Sequence, residues 1–188
     1  MSGLISPAFP LSLCSIASHV SVPLNLRQSA LLYLKTFVLS AWSPSLDDYS
    51  GDFTVNENVK AQLRDALLNI ATSDNAADDR KIKAAASYVV SKIASADFPD
   101  QWPSLLPTLL HLIPTATAPQ LHGALKVLSD LVDEGLSEEQ FFAVARDLVK
   151  VVYDVSLDEA RKPVLRALGK SDRCQSMTNK RVTDPCIQ

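Results

Sequence analysis

Apolar residues recur at helical spacing along most of the chain, with proline-containing or polar segments between the helical stretches. The clearest case is residues 80–95, where apolar positions at i, i+4, i+7 and i+11 share one face of a helix. That stripe consists of Ile82, Ala86, Val89 and Ile93. Three lysines lie off the stripe, namely Lys81, Lys83 and Lys92. The pattern predicts an amphipathic helix with one buried side.

A proline-rich corner follows this helix. The residue before a proline disfavours the α-helical conformation, so we expect the helix to end near Pro99. Pro103 suits the first turn of a second helix, where its missing N–H costs nothing. Pro107 is expected to bend that second helix. Trp102, which lies between prolines, is predicted to pack in the core and tie the two helices together.

The same spacing predicts several other helices, with recognisable caps. The complete predicted set covers residues 8–19, 26–42, 59–72, 80–95, 103–113, 120–134, 138–153 and 158–168. Asn25 and Asn56 are expected to cap the helices that follow them. Ser137 and Gln140 have the spacing of a capping box.

Two of these helices have broad apolar faces that we expect to be buried. In the helix at 26–42 the face is Ala30, Leu31, Leu34, Phe37, Val38 and Ala41. In the helix at 138–153 the face is Phe141, Val144, Ala145, Leu148, Val149 and Val152. Such faces are typical of helices that pack against neighbours rather than stand alone.

Pairing consecutive helices yields helical hairpins whose second helices start near residues 26, 80, 120 and 158. The last two intervals are about 40 residues, in the range of HEAT and armadillo repeats. The fold class predicted is therefore all-α, a right-handed solenoid of about four hairpins. Residues 7–168 are assigned to this repeat domain, residues 1–6 are expected to be disordered, and residues 169–188 to form a disordered or non-native tail.

Composition narrows the function classes. The net charge of −3 argues against a dedicated nucleic-acid binder, whose surface is normally basic. The three cysteines are far apart and form no CxxC pair, which indicates free thiols. The chain has neither a phosphate-binding glycine loop nor a nucleophile-elbow motif. We therefore expect no enzyme activity, no catalytic residue, no metal site and no cofactor, and no direct membrane association.

Three segments carry a resemblance to a known family. Residues 86–94 read ASYVVSKIA, residues 97–106 read DFPDQWPSLL, and residues 26–38 read LRQSALLYLKTFV. Together these segments resemble the importin-β (karyopherin) superfamily, and within it the importin-nine type with its fungal relatives. The resemblance covers about residues 10–165.

The resemblance implies a function in nuclear transport. The N-terminal repeats of karyopherins hold the GTP-bound form of the small GTPase Ran, mainly through the second helices of their hairpins. By similarity, the candidate Ran-binding residues are Leu34, Lys35, Lys83, Tyr88, Gln120, Gly123, Lys126 and Asp130. The family also implies basic nuclear cargo such as histones, bound largely by later repeats, possible contacts with nuclear pore proteins, and shuttling between cytoplasm and nucleus.

Two alternatives remain open at this point. The chain fits a generic HEAT or armadillo scaffold subunit that has no GTPase partner. It also fits a truncated importin product without function, because the polar segment 169–188 does not continue the repeat. The blocks at residues 26–38 and 97–106 favour the importin interpretation over the generic scaffold.

Overall fold

The structure, a computed structural model, describes residues 8–51, 55–74, 80–134, 137–164 and 166. Its helices are α1 (Ala8–Ser18), α2 (Leu24–Ala41), α3 (Glu57–Ala71), α4 (Arg80–Asp97), α5 (Leu105–Leu112), α6 (Ala118–Glu134) and α7 (Glu138–Leu157), with a short 3₁₀ turn at Ile113–Thr115 after α5. No strand occurs in these ranges. The all-α prediction is confirmed.

The helices pack as successive antiparallel hairpins that stack side by side. The first three hairpins are α1/α2, α3/α4 and α5/α6. Their second helices form one layer, in which α4 packs against α2 on one side and α6 on the other. In the other layer α1 packs on α3 and α5 contacts α7. This is the packing of a helical-hairpin solenoid, in which each repeat buries its apolar face on its neighbours.

The predicted apolar stripes of α2 and α4 form the centre of the core. Every member of the two predicted faces is buried, from Ala30 to Ala41 on α2 and from Ile82 to Ile93 on α4. Trp102 is also buried, as predicted for the corner after α4. Because α4 has neighbours on both sides, it buries a second stripe that its apolar pattern alone did not indicate, namely Lys83, Ser87 and Ser91.

Two of the three predicted helix caps are confirmed. The Asn56 side chain accepts a hydrogen bond from the backbone N–H of Asn58 at 2.8 Å, and Ser137 forms the reciprocal capping box with Gln140. The cap predicted at Asn25 is wrong. The backbone N–H groups of Leu26 and Arg27 bond to the carbonyl of Pro23, so the helix starts two residues earlier and Asn25 lies inside it.

Pro107 lies closer to the start of α5 than predicted, because the helix starts later than expected. The helix begins at Leu105 rather than at Pro103, which makes Pro107 the third residue of the helix. The N–H groups of a first turn have no partner within the helix, so a proline there removes no hydrogen bond. The proline is accommodated in the first turn instead of distorting the helix interior.

The buried face predicted for α7 is only partly correct. Leu148 is buried, but Val149 and Val152 are 66% and 43% exposed. The main neighbours of α7 in the described part are α5 and the 3₁₀ turn, and much of its apolar surface is exposed. The side chain of Val144 lies outside the described part. The same is true of residues 1–6, of residues 169–188 and of the end of the helix predicted at 158–168.

Side-chain hydrogen bonds to backbone carbonyls connect the corner after α4 and the 3₁₀ turn to α7 and to the segment after it. The Gln140 Nε2 donates to the carbonyl of Phe98 at 2.8 Å. The Arg161 guanidinium donates to the carbonyls of Ile113 at 2.8 Å and of Pro114 at 2.7 Å. These contacts join carbonyls at turns to side chains of α7 and of the segment after it. Within the described ranges, no helix is both long and apolar enough to cross a bilayer.

Candidate functional site

The candidate site is the second-helix surface, which we define as the solvent-facing sides of α2, α4 and α6. Its centre is Tyr88 on α4, whose ring lies beneath two ammonium groups. The Lys35 Nζ from α2 is 4.4 Å from the ring centroid, and the Lys92 Nζ is 5.2 Å away. Cations over an aromatic face at these distances are attracted by the ring quadrupole. Lys35 and Tyr88 thus join α2 and α4 at the surface.

A second polar contact joins α4 to α6. The Ser87 hydroxyl donates a hydrogen bond of 2.7 Å to Oδ2 of Asp130. The other carboxylate oxygen, Oδ1, accepts from the Lys126 Nζ at 2.7 Å. The side chains of Lys126 and Asp130 are only 9% and 14% exposed, so this pair is screened less by water than a surface ion pair. The carboxylate is held in one orientation by partners on both helices.

A third group of predicted residues lies at the end of the layer near the hairpin turns. The buried Lys83 donates from Nζ to the carbonyl of Ser73 at 2.7 Å and lies 3.5 Å from that of Pro119. It thereby joins the turn after α3 to the first turn of α6. The Gln120 side chain accepts from the backbone N–H of Thr117 at 3.1 Å, beside this contact.

Two of the candidates have no side-chain surface for a partner. Leu34 is fully buried between helices. Gly123 lies where α6 crosses the end of α3, and a Cβ atom there would be only 2.0 Å from the carbonyl oxygen of Ala71. These two expectations are therefore corrected: Leu34 and Gly123 shape the layer from within, because helices of adjacent repeats press on them.

The structure thus brings the other candidates together in three groups, which are Lys35 with Tyr88, Lys126 with Asp130, and Lys83 with Gln120. The sequence analysis missed Ser87, which orients Asp130. A signal for it was present, because Lys83, Ser87 and Ser91 recur at i, i+4 and i+8 and mark a second stripe on α4. Small polar residues on a second stripe indicate a helix with neighbours on both sides.

Positive charges dominate the end of the surface near the turns. His122, half-buried on α6, has a pKa lowered from 6.5, mainly by burial and further by the nearby Arg80, Lys83 and Lys126. The buried Nδ1 atom of this histidine has no hydrogen-bond partner in the described part. The ring is therefore neutral near physiological pH, since protonation would add a charge among three cations.

A cavity of about 440 Å³ lies between α1 and α3. Its walls include Leu11, Cys14 and Ile70, and Arg27 lies at one side. Burial raises the pKa of the Cys14 thiol to about 12. The thiol stays protonated, so it is a packing group rather than a nucleophile. Within the described ranges, no cluster of three or more His, Cys, Asp or Glu side chains is placed to hold a metal ion.

Comparisons with known proteins point to one family. Residues 4–73 match the importin-beta N-terminal domain. The chain is 39% identical over 146 residues to importin subunit beta-5 of Schizosaccharomyces pombe, and 35% identical over 131 residues to importin subunit beta-5 of Saccharomyces cerevisiae. A more distant match, 25% identical over 103 residues, is the importin-alpha re-exporter of S. pombe.

The alignments cover much of this chain but little of the relatives. The two beta-5 matches include 77% and 70% of the chain, yet only 14% and 12% of the relatives' lengths. The re-exporter match includes 55% of the chain and 10% of that protein. The similarity therefore concerns a small part of long proteins, and it includes the helices that form the second-helix surface.

Proposed function

This chain belongs to the importin-β superfamily, importin-nine type, and from that premise we propose that it is part of a nuclear transport receptor that binds the GTP-bound form of Ran. The observation that supports the proposal is the layer formed by α2, α4 and α6, in which α4 packs between the other two helices. Three of the residues expected at such a surface, Lys35, Tyr88 and Asp130, are held there by contacts between helices.

The charges on this surface suggest how a GTPase would be held. Lys35 and Lys92 offer two cations around an aromatic ring, and Lys81 is exposed on the same helix as Tyr88. Asp130 and the exposed Asp133 offer carboxylates on α6. We assign direct contacts with Ran to Lys35, to Tyr88 and to the small exposed part of the Lys126–Asp130 pair. Lys83 and Gln120 contribute at the turn end, while Leu34 and Gly123 act by keeping the layer in shape.

Binding of this kind does not require the receptor to catalyse a reaction. A stack of hairpins can change its curvature, and a GTPase that binds one curvature better than another shifts the receptor toward that form. We propose that cargo release follows from this difference in affinity. Basic nuclear proteins such as histones are the proposed cargo, bound together with repeats beyond those described, and the receptor is proposed to meet nuclear pore proteins while it shuttles between cytoplasm and nucleus.

The direct test is to measure binding of the purified chain to Ran loaded with GTP and, separately, with GDP. We expect binding to the GTP form and little binding to the GDP form. Equal binding to both forms, or no binding by a chain that circular dichroism shows to be helical, overturns the proposal. The second result would favour the generic scaffold or the truncated product.

A pair of matched variants locates the contact. Lys35→Glu reverses a charge beside Tyr88, and we expect it to weaken binding to Ran-GTP at least tenfold, as for a charge contact at the centre of an interface. Lys150→Glu makes the same change on the exposed side of α7, in the other layer, and should leave the affinity unchanged. Equal losses in both variants would indicate general electrostatics rather than this surface.

A further inference from the structure

The helix α7 is packed much less extensively than the hairpins before it. α4 has helices on both sides and buries a stripe of side chains toward each of them. On α7, by contrast, Leu148 and Val155 are the buried side chains among those that the structure describes. Phe142, Val149 and Tyr153 are 74%, 66% and 60% exposed. Apolar burial therefore holds α7 to its neighbours less firmly than it holds the hairpins to one another.

A partly open cavity of about 240 Å³ lies at the junction between α7 and the 3₁₀ turn. Ile113 and Pro114 line it from the turn, and Val151, Asp154 and Val155 line it from α7. Space between two surfaces removes the dispersion contacts that close packing supplies. The junction is therefore not a continuous core.

Two side-chain contacts, one near each end of α7, join it to the turns of the preceding hairpins. Near its start, the Gln140 Nε2 donates to the carbonyl of Phe98 at 2.8 Å, while Oε1 of the same side chain accepts from the backbone N–H of Ser137. Just after its end, the Arg161 guanidinium donates to two carbonyls of the 3₁₀ turn, at 2.8 and 2.7 Å. We call these the Gln140 contact and the Arg161 contact. Both depend on a few hydrogen bonds rather than on buried apolar area.

We propose that the joint between the third hairpin and α7 is a hinge, at which α7 moves as one unit while the three hairpins stay packed. Hinges commonly lie at the ends of secondary-structure elements, where a few residues absorb the change. Regions with little buried apolar surface open at a lower free energy than the global core, and they open as cooperative units. The Gln140 contact and the Arg161 contact hold α7 in its closed position. The hinge goes beyond the proposed function, because neither residue belongs to the second-helix surface.

Hydrogen exchange of the full chain, followed residue by residue with NMR, tests the hinge. We expect the amides in the middle of α7, around Leu148, to exchange faster than those of α4 and at rates similar to one another. Gln140→Glu keeps the oxygen that accepts from Ser137 and adds a negative charge at the helix start, which favours the helix itself. It also places a carboxylate oxygen against the Phe98 carbonyl. Exchange in α7 should become at least about fivefold faster, as for the loss of one hydrogen bond, with no change in α2 and α4.

Each contact has a matched control. Glu139→Gln makes the reverse substitution at the exposed neighbouring position and should change the exchange of α7 little. Arg161→Gln removes the second contact and should speed the exchange of α7 as Gln140→Glu does. Lys162→Gln is its control, because Arg161 and Lys162 each pair with a carboxylate three residues earlier, while of the two it is Arg161 that bonds to the 3₁₀ turn.

Four results would overturn the hinge. Amides of α7 that exchange no faster than those of α4 show that α7 opens only with the whole fold. Rates that fall steadily from the ends of α7 to its middle show fraying of a fixed helix. Equal effects in each variant and its control show that the two contacts do not hold α7. Equal acceleration in α2, α4 and α7 places the contacts in the global core.

Discussion

The Trp42 indole Nε1 donates a hydrogen bond of 2.9 Å to Oδ2 of Asp97, although 55 residues separate them in the chain. The same oxygen accepts a hydrogen bond of 2.8 Å from Nε of Arg64 and forms an ion pair with Nη2 of that guanidinium at 2.6 Å. The Arg64 guanidinium also lies 5.7 Å from the centre of the Trp42 ring. All three residues are buried, so one carboxylate joins the ends of α2 and α4 to the middle of α3.

This network predicts that Asp97→Asn strongly destabilises the fold. The change removes the buried counter-charge of Arg64 and leaves only the exposed Glu57 carboxylate at 3.9 Å. Removal of one partner of a buried pair costs about 3–5 kcal/mol. Denaturant unfolding followed by circular dichroism measures the loss. Asp100→Asn, an exposed position three residues later, is the matched control and should change little. A small effect at Asp97 would mean that water replaces the lost partner.

Gly123→Ala is expected to destabilise the contact between α6 and α3. The new methyl group would lie 2.0 Å from the carbonyl oxygen of Ala71, so the helices must move apart. Overpacking of this kind costs about 1–3 kcal/mol, and a backbone neighbour places the effect at the upper end. Ser129→Ala, on the same helix and only half-buried, should be nearly neutral. Equal unfolding midpoints for the two variants would contradict the close approach.

His122 predicts a loss of stability at mildly acidic pH. Its pKa is lowered in the folded state, mainly by burial and further by Arg80, Lys83 and Lys126. The unfolded chain, with the ordinary pKa of 6.5, therefore binds the proton more readily. The contribution of neutral His122 is complete above pH 6.5 and decreases as the pH falls below that value.

The measurement is the free energy of unfolding from about pH 7.5 down to about pH 5.5, around the ordinary histidine pKa. His122→Gln should flatten the decrease seen in the unmodified chain. His19→Gln, which changes an exposed histidine, should not. A curve that His122→Gln leaves unaltered would show that other groups are responsible.

Ser137→Ala is expected to weaken the start of α7. The Ser137 hydroxyl accepts from the backbone N–H of Gln140 at 3.2 Å, and the Gln140 side chain accepts from the backbone N–H of Ser137 at 2.9 Å. Loss of an N-cap side chain costs about 1 kcal/mol. Ser156→Ala, near the other end of α7, removes only a bond within the helix and should cost less. Hydrogen exchange of the first amides of α7 would report the difference, and equal protection in both variants would argue against the cap.

Sequence analysis succeeded best for features that depend on residues close together in the chain. The stripe from Ile82 to Ile93 and the caps at Asn56 and Ser137 depend on residues within a few positions of one another, and they were predicted correctly. The prediction at Asn25 failed because the carbonyl of Pro23 accepts the first backbone hydrogen bonds of the helix, so the Asn25 side chain is not needed there. Pro23 and Asn25 are also close in sequence, but the preference of Asn for cap positions did not show which of the two precedes the helix.

The sequence by itself determined the helical period, the order of the hairpins and the resemblance to a family, because these depend on local spacing and on short blocks of sequence. Only the tertiary structure decided that Lys83 is buried, that Asp97 accepts from Trp42 and Arg64, and that Leu34 and Gly123 are internal. Those outcomes depend on which side of a helix meets a neighbour 30 to 60 residues away, as the separations of 33 and 55 residues within the Asp97 network illustrate. A single helix shows its strongest apolar stripe in its own sequence, whereas its second buried side is defined by the helices that pack on it.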